Sequence, residues 1–267
     1  MNSHEIDYEI FGEEMQFVEI ELDPFETVIA EAGGLMMKDQ EIEMATIFGD
    51  GSQRQSSGIF GKVLDAGKRL LTGESLFMTA FTHGGTGKKK LSFASPYPGR
   101  IIPMDLSELG GKIIAQKDAF LCAAKGVSVG IEFSRKLGRG FFGGEGFIMQ
   151  KIEGDGMAFL HAGGTIVKRE LSASDVLHVD TGCLVAFTKE VDYDIEMVKG
   201  VRNMIFGGEG FFYARLQGPG SVWIQSLPFS RLADRVIRAS PYYGHKSKGE
   251  GSVLGGLGNL LDGDNTF

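Results

Sequence analysis

Phe142-Gly-Gly-Glu-Gly-Phe147 returns letter for letter as Phe206-Gly-Gly-Glu-Gly-Phe211, 64 residues later. Six identical residues at a fixed offset mark an internal repeat, and a repeat decides architecture before any single motif does. The offset extends on both sides. Val127, Ile131 and Glu132 fall on Val191, Ile195 and Glu196, and Lys151-Ile-Glu-Gly-Asp-Gly156 falls on Arg215-Leu-Gln-Gly-Pro-Gly220. A looser third copy lies upstream at Thr72-Gly-Glu-Ser-Leu-Phe77, where Gly73-Glu74 stands for Gly144-Glu145 and Met78 for Met149. The chain reads as three related units.

Outward from the repeats, the elements read as β-rich. Short apolar stretches of alternating or continuous pattern are separated by Gly turns, and 40 glycines in 267 residues suit a chain of many tight turns. Ile6 to Ile10, Met15 to Leu22, Thr27 to Met37 and Glu41 to Ile47 read as strands, with a hairpin or close backbone approach at Gly33-Gly34. Ser75 to Thr82 and Lys90 to Ala94 read as paired strands around a Gly-rich turn. Gly146 to Glu153 and Met157 to His161 repeat that order around Gly154-Asp155-Gly156. Two helices are expected. In 58–71 the residues Ile59, Phe60, Val63, Leu64, Leu70 and Leu71 form one stripe, and Ser230 to Ser240 places Leu232, Val236 and Ile237 on one face. The domain reading is a first β unit over 1–106 with the inserted helix 58–71, a second over 107–171, a third over 172–240, and a Gly-rich tail over 241–267 with an apolar face.

Composition excludes some functions. A net charge of -8 argues against a nucleic-acid backbone partner, which needs clustered Lys and Arg. The one dense basic run, Lys88-Lys89-Lys90, reads as a solvated turn. Cys122 and Cys183 sit in apolar runs outside any CxxC pair and read as buried thiols in a reducing compartment. The first residues lack a basic and apolar leader, and no apolar run approaches a membrane span, so the expected location is the cytoplasm.

No catalytic signature emerges. Gly-Gly-Glu-Gly is followed by a strand, whereas a dinucleotide loop leads into a helix, and no P-loop Gly-Lys-Ser/Thr is present. The repeated Gly-Glu pairs are the candidate site positions: Gly73 and Glu74, Gly144 and Glu145, Gly208 and Glu209. A carboxylate among glycines can accept backbone N–H bonds of a tight turn, or pair with Lys68, Arg69, Arg139 or Arg202. The functional alternative is a ring of acids around a pseudo-threefold axis that binds a cation. The five histidines, His4, His83, His161, His178 and His245, form no HxH or HExxH pattern, so no metal or other cofactor is expected. His161 and His178 read as core or surface imidazoles, and the single Trp223 as core. The stripe at 58–71, with Lys62, Lys68 and Arg69, has a second reading as a helix lying on a membrane or a protein partner.

The order of motifs carries a resemblance. Glu31-Ala-Gly-Gly-Leu-Met-Met37, Arg69-Leu-Leu-Thr-Gly-Glu-Ser-Leu-Phe77, Ala94-Ser-Pro-Tyr-Pro-Gly99, the repeated Phe-Gly-Gly-Glu-Gly-Phe and a Gly-Leu-Gly-Asn-Leu-Leu261 tail occur in sequence. Over roughly Ile6 to Phe267 the chain resembles a prokaryotic family of unknown function related to the mitochondrial biogenesis proteins named for altered inheritance of mitochondria. That resemblance implies a β-sandwich of the kind shared with the tryptophan RNA-binding attenuation protein, duplicated within the chain and oligomeric. It supplies no catalytic residues. The expectation is therefore an all-β chain of tandem related sandwich units with two or three short helices. Its expected function is that of a non-enzymatic oligomeric scaffold, a trimer first, at a membrane surface or with a protein partner. A small-ligand or metal-ion module with sites between repeats is the alternative.

Overall fold

The computed structural model describes residues 3–31, 33–48, 77–135, 147–197 and 212–239. The chain divides into two compact units, Met1–Pro228 and Phe229–Phe267. The first is all β, with nineteen strands among its described residues, numbered here in chain order.

These strands form four antiparallel sheets. One holds β1 (Asp7–Phe11), β2 (Phe17–Leu22), β7 (Lys89–Ala94) and β4 (Leu35–Lys38), in that order. A second runs β5 (Ile42–Phe48), β6 (Phe77–His83), β3 (Thr27–Glu31), β10 (Phe120–Ala124), β13 (Met157–Gly163), β8 (Gly99–Asp105). A third runs β11 (Ser128–Arg135), β12 (Phe147–Glu153), β9 (Lys112–Gln116), β16 (Leu184–Thr188), β19 (Gly220–Gln225), β14 (Ile166–Leu171). The last is β15 (Val176–Asp180), β18 (Phe212–Gln217), β17 (Asp192–Met197).

Three apolar cores separate these layers. Val18, Ile20, Leu91 and Phe93 of the first sheet meet Val28, Phe81, Leu121 and Phe159 of the second. Ile29, Met104, Ala123 and Leu160 of the second meet Ile113, Ala115, Ile152 and Trp223 of the third. Ile114, Met149, Phe187 and Val222 of the third meet Val179, Ile195, Ala214 and Leu216 of the fourth. The inner sheets are covered on both faces, so β10 and β16 are buried at all five positions. An outer strand such as β2 alternates half-buried and buried residues, because one of its faces meets water.

The pairing pattern recurs three times. The order β5-β6-β3 returns as β11-β12-β9 and β17-β18-β15, and the order β4-β7-β2 returns as β10-β13-β8 and β16-β19-β14. The register carries the 64-residue spacing too: Ser128 pairs with Glu153, and Asp192 with Gln217. Between these sets, β3 pairs with β10 and β9 pairs with β16.

The Gly turns behave otherwise than the hairpin reading expects. Gly33-Gly34 links β3 in one sheet to β4 in another, and the turns after β6 and β12 likewise join strands of different sheets. Gly33 has φ 100°, and a Cβ on Gly34 would crowd the Leu121 side chain in the next layer. Such turns carry the chain over a core edge. The antiparallel partners are the strands on either side of 49–76, 136–146 and 198–211.

The lysine run also differs from a solvated turn, because Lys89 and Lys90 lie in β7. Lys88 pairs with Glu21 at 2.7 Å and Asp7 at 3.0 Å, Lys89 with Glu41 at 2.8 Å, and Lys90 with Glu19 at 2.6 Å. Lys88 and Lys90 thus pair with acids of β1 and β2, and Lys89 with an acid just before β5. Trp223 is buried, as expected, with the Lys168 ammonium 5.2 Å from its ring centroid. Cys122 is a fully buried free thiol, and Cys183 is half-buried. The second unit contributes one described helix, α1 (Phe229–Ala239). The helix expected over 58–71 and the tail over 241–267 lie outside the described residues.

Candidate functional site

The six Gly-Glu positions, Gly73, Glu74, Gly144, Glu145, Gly208 and Glu209, lie outside the described residues, as do Lys68, Arg69, Arg139 and Arg202. Along the chain, each pair falls in the segment connecting two directly paired strands: β5 to β6, β11 to β12, and β17 to β18.

The polar chemistry the described residues bring together lies elsewhere, around the 3-10 turn Lys117–Ala119 between β9 and β10. His161 reaches it from β13. Its ring donates to the Asp118 backbone carbonyl, and its Nδ1 is buried without a hydrogen-bond partner. Burial pushes the imidazole down to about 4, against the opposing effect of the carbonyl bond. Tyr97 packs edge-on against this ring at 4.9 Å between centroids. Burial, and then the Asp118 charge, push its hydroxyl up to about 12. Glu31, at the end of β3, faces the same turn. Burial raises its carboxyl, the nearby Gln150 amide counters this, Asp118 adds to the rise, and Lys117 opposes it. Gln150 is fully buried on β12 and makes no well-formed hydrogen bond through either amide atom.

The third strand set explains His161. Gln225 occupies its position, 64 residues on: His161 faces Ile101 of β8, and Gln225 faces Ile166 of β14. Gln225 Nε2 donates to the Gly182 carbonyl at 2.9 Å, and its Oε1 accepts from Gly163 N–H at 2.8 Å. Gly182 lies in the 3-10 turn Thr181–Cys183, the counterpart of Lys117–Ala119. Asp180 caps that turn, its Oδ1 accepting from Gly182 N–H at 2.9 Å. A short 3-10 turn leaves carbonyls unpaired at the edge of a core, and a buried carbonyl needs a donor. The imidazole and the amide both supply one, so His161 and Gln225 act as struts between a β strand and a turn.

The other described histidines, His4, His83 and His178, also have partners. His83 is buried, with Nε2 2.8 Å from the Gly87 carbonyl and Nδ1 accepting from Gly85 N–H at 3.3 Å. His4 Nδ1 accepts from Thr27 N–H at 2.9 Å, and burial, then Lys125, hold its imidazole low. His178 is exposed, 3.7 Å from Glu196. Among the described residues, no group of three His, Cys, Asp or Glu is placed to hold a metal ion, and no helix is long and apolar enough to cross a membrane. Sequence reading left His161, which the structure buries, as a core or surface imidazole. It did not find its match to Gln225, although the 64-residue offset applied at His161 leads directly to it.

Comparison with known proteins agrees with this architecture. The family described as Mitochondrial biogenesis AIM24 matches residues 8–227. An uncharacterized protein of Streptococcus pyogenes serotype M6 is 31% identical over 232 residues, covering 85% of this chain and 88% of that protein. An X-ray crystal structure of a Streptococcus pyogenes protein superposes with a TM-score of 0.66 at 25% identity, covering 88% of this chain and 100% of the other. The four-layered β unit and a match along nearly its whole length identify the chain as a member of the mitochondrial biogenesis AIM24 family.

Proposed function

We propose that the chain is a non-enzymatic scaffold that works by assembling with copies of itself, a trimer first, at a membrane surface or with a protein partner. The observation that carries this reading is the equivalence of His161 and Gln225. The most perturbed imidazole among the described residues does a job that an amide does 64 residues later, and an amide carries no acid–base chemistry. An imidazole near 4 is also a poor base at neutral pH. Exposed Met36, Met37, Met44 and Val176 suit a subunit whose rim is covered by neighbours. Tandem sandwiches of the attenuation-protein kind belong to this reading, supported by the thrice-repeated strand order. Helix α1 supports a surface role: Phe229, Val236 and Ile237 are exposed on one side, with Arg231 and Arg235 on the other. Native mass spectrometry tests the assembly. A single species of several subunits is expected, and a monomer at all concentrations overturns it. Flotation with anionic liposomes tests the surface, where Val236→Asp should lower the bound fraction.

A second reading, a small-ligand or ion site between repeats, rests on Gln150. Its fully buried amide, from the second strand set, makes no well-formed hydrogen bond and lies beside the Glu31 carboxyl of the first. It predicts mass retained in the native spectrum that disappears on denaturation and is lost in Glu31→Gln. If Glu145→Gln and Glu209→Gln abolish a ligand-induced thermal shift while keeping the fold, the site belongs to the Gly-Glu pairs instead.

A further inference from the structure

Among the described residues, strands β4 and β15 lack the neighbour through which their counterparts join one strand set to the next. In each inner sheet a three-strand group of one set joins a three-strand group of the next, through β3 to β10 and through β9 to β16. The position equivalent to β3 and β9 in the third set is β15, which among the described residues pairs only with β18. The position equivalent to β10 and β16 in the first set is β4, which among the described residues pairs only with β7. An edge strand presents a row of unpaired N–H and C=O groups, a ready template for another strand.

We infer that β15 of one copy pairs antiparallel with β4 of the next, joining chains head to tail. This rests on the scaffold reading and names its joint. The two internal joints determine the register. Cys122 pairs with Ala30, Ala123 with Ile29 and Ala124 with Val28; Ala186 pairs with Ala115, Phe187 with Ile114 and Thr188 with Ile113. The pairing of β3, β9 and β15 with their inner neighbours aligns Val28 with Ile113 and Leu177, Ile29 with Ile114 and His178, and Ala30 with Ala115 and Val179. A β-bulge aligns the other side, lying between Leu35 and Met37, Phe120 and Cys122, and Leu184 and Ala186. The intermolecular joint therefore pairs Met37 with Val179, Lys38 with His178 and Asp39 with Leu177.

The product is a sheet in the order β17-β18-β15-β4-β7-β2-β1. It is the inner-sheet order completed across two molecules, with β1 added at the rim. Pairing covers Met36 and Met37, 52% and 47% exposed, together with Val176 at 44%. It also brings the Lys38 ammonium to the face where Glu196 lies 3.7 Å from His178. The contact uses different surfaces on its two sides, so it propagates from chain to chain and closes into a ring where the rotation allows.

The test is disulfide trapping. Lys38 and His178 are paired directly, and neither is in a core. Lys38→Cys and His178→Cys are placed on separately tagged chains in a Cys183→Ser background, and the chains are co-expressed and oxidised. The expected result is a covalent dimer containing both tags, absent when either variant is expressed alone. A species of several subunits in the native spectrum without that cross-link overturns this joint and leaves the scaffold reading standing. Equal cross-linking in the single-variant pools overturns it in favour of like-with-like contacts. A monomer at all concentrations overturns both.

Discussion

His161 makes the stability of the β unit depend on pH in a direction the structure dictates. In the fold the imidazole is held at about 4, against an ordinary value of 6.5. Below about 6.5 the unfolded chain takes up a proton there that the folded chain refuses. Its contribution is thus fully present above the unfolded value and is lost as pH falls toward about 4. For one group with these two values, linkage gives a loss of about 2 kcal/mol between pH 7 and pH 5, or roughly 4–8 °C in Tm for a chain of this size. His161→Gln installs the residue found at the equivalent position, which can donate to the Asp118 carbonyl as Gln225 donates to Gly182. The variant should fold at pH 7, and its stability should fall less steeply on acidification by that same margin. His4, also held low by burial and Lys125, shifts both proteins alike, so the difference isolates His161. Denaturant melts at pH 7, 6 and 5 make the measurement. Parallel curves for wild type and variant would refute the assignment of a buried, neutral imidazole.

Three further outcomes follow from the same structure. Gln225→Ala leaves the Gly163 N–H and Gly182 carbonyl without their partner in a buried site, and should cost about 2–4 kcal/mol in a denaturant melt. Phe159→Ala opens a cavity in the core between the first two sheets, where Tyr8 packs on the ring at 4.8 Å; a loss of about 3–5 kcal/mol is expected. Burial raises the Cys122 thiol and removes it from solvent, so thiol titration of the native protein should leave it unmodified until denaturant is added.

Much of the fold was legible in the sequence because it is written in local patterns. The 64-residue identity reappears in the strand register, and the continuous apolar runs at Phe120 to Ala124 and Leu184 to Thr188 reflect sheets covered on both faces. The turns were harder. Gly-rich connections such as Gly154-Asp155-Gly156 suit a hairpin and a crossing between layers equally well, since both need tight backbone and few side chains. Which one forms depends on where the flanking apolar faces find a partner, and those partners lie far along the chain. The polar cluster at Lys117–Ala119 was invisible for the same reason. Glu31, Tyr97, Asp118, Gln150 and His161 share no motif and meet only because β3, β12 and β13 converge on one turn.

The sequence by itself determined the all-β class, the internal repeat and the absence of a catalytic motif, because strand periodicity and repeat spacing are properties of neighbouring residues. Only the tertiary structure decided which strands pair, that Gly turns cross between layers, and that His161 and Gln225 do one job. Among the described residues it also showed β4 and β15 without the neighbour that joins their counterparts to the next strand set. Pairing and burial are set by cores assembled from residues far apart in the chain, such as Phe81 and Phe93 with Phe159, or Ile29 with Val185 and Trp223. Their cohesion is non-directional, and it emerges once the chain has closed on itself.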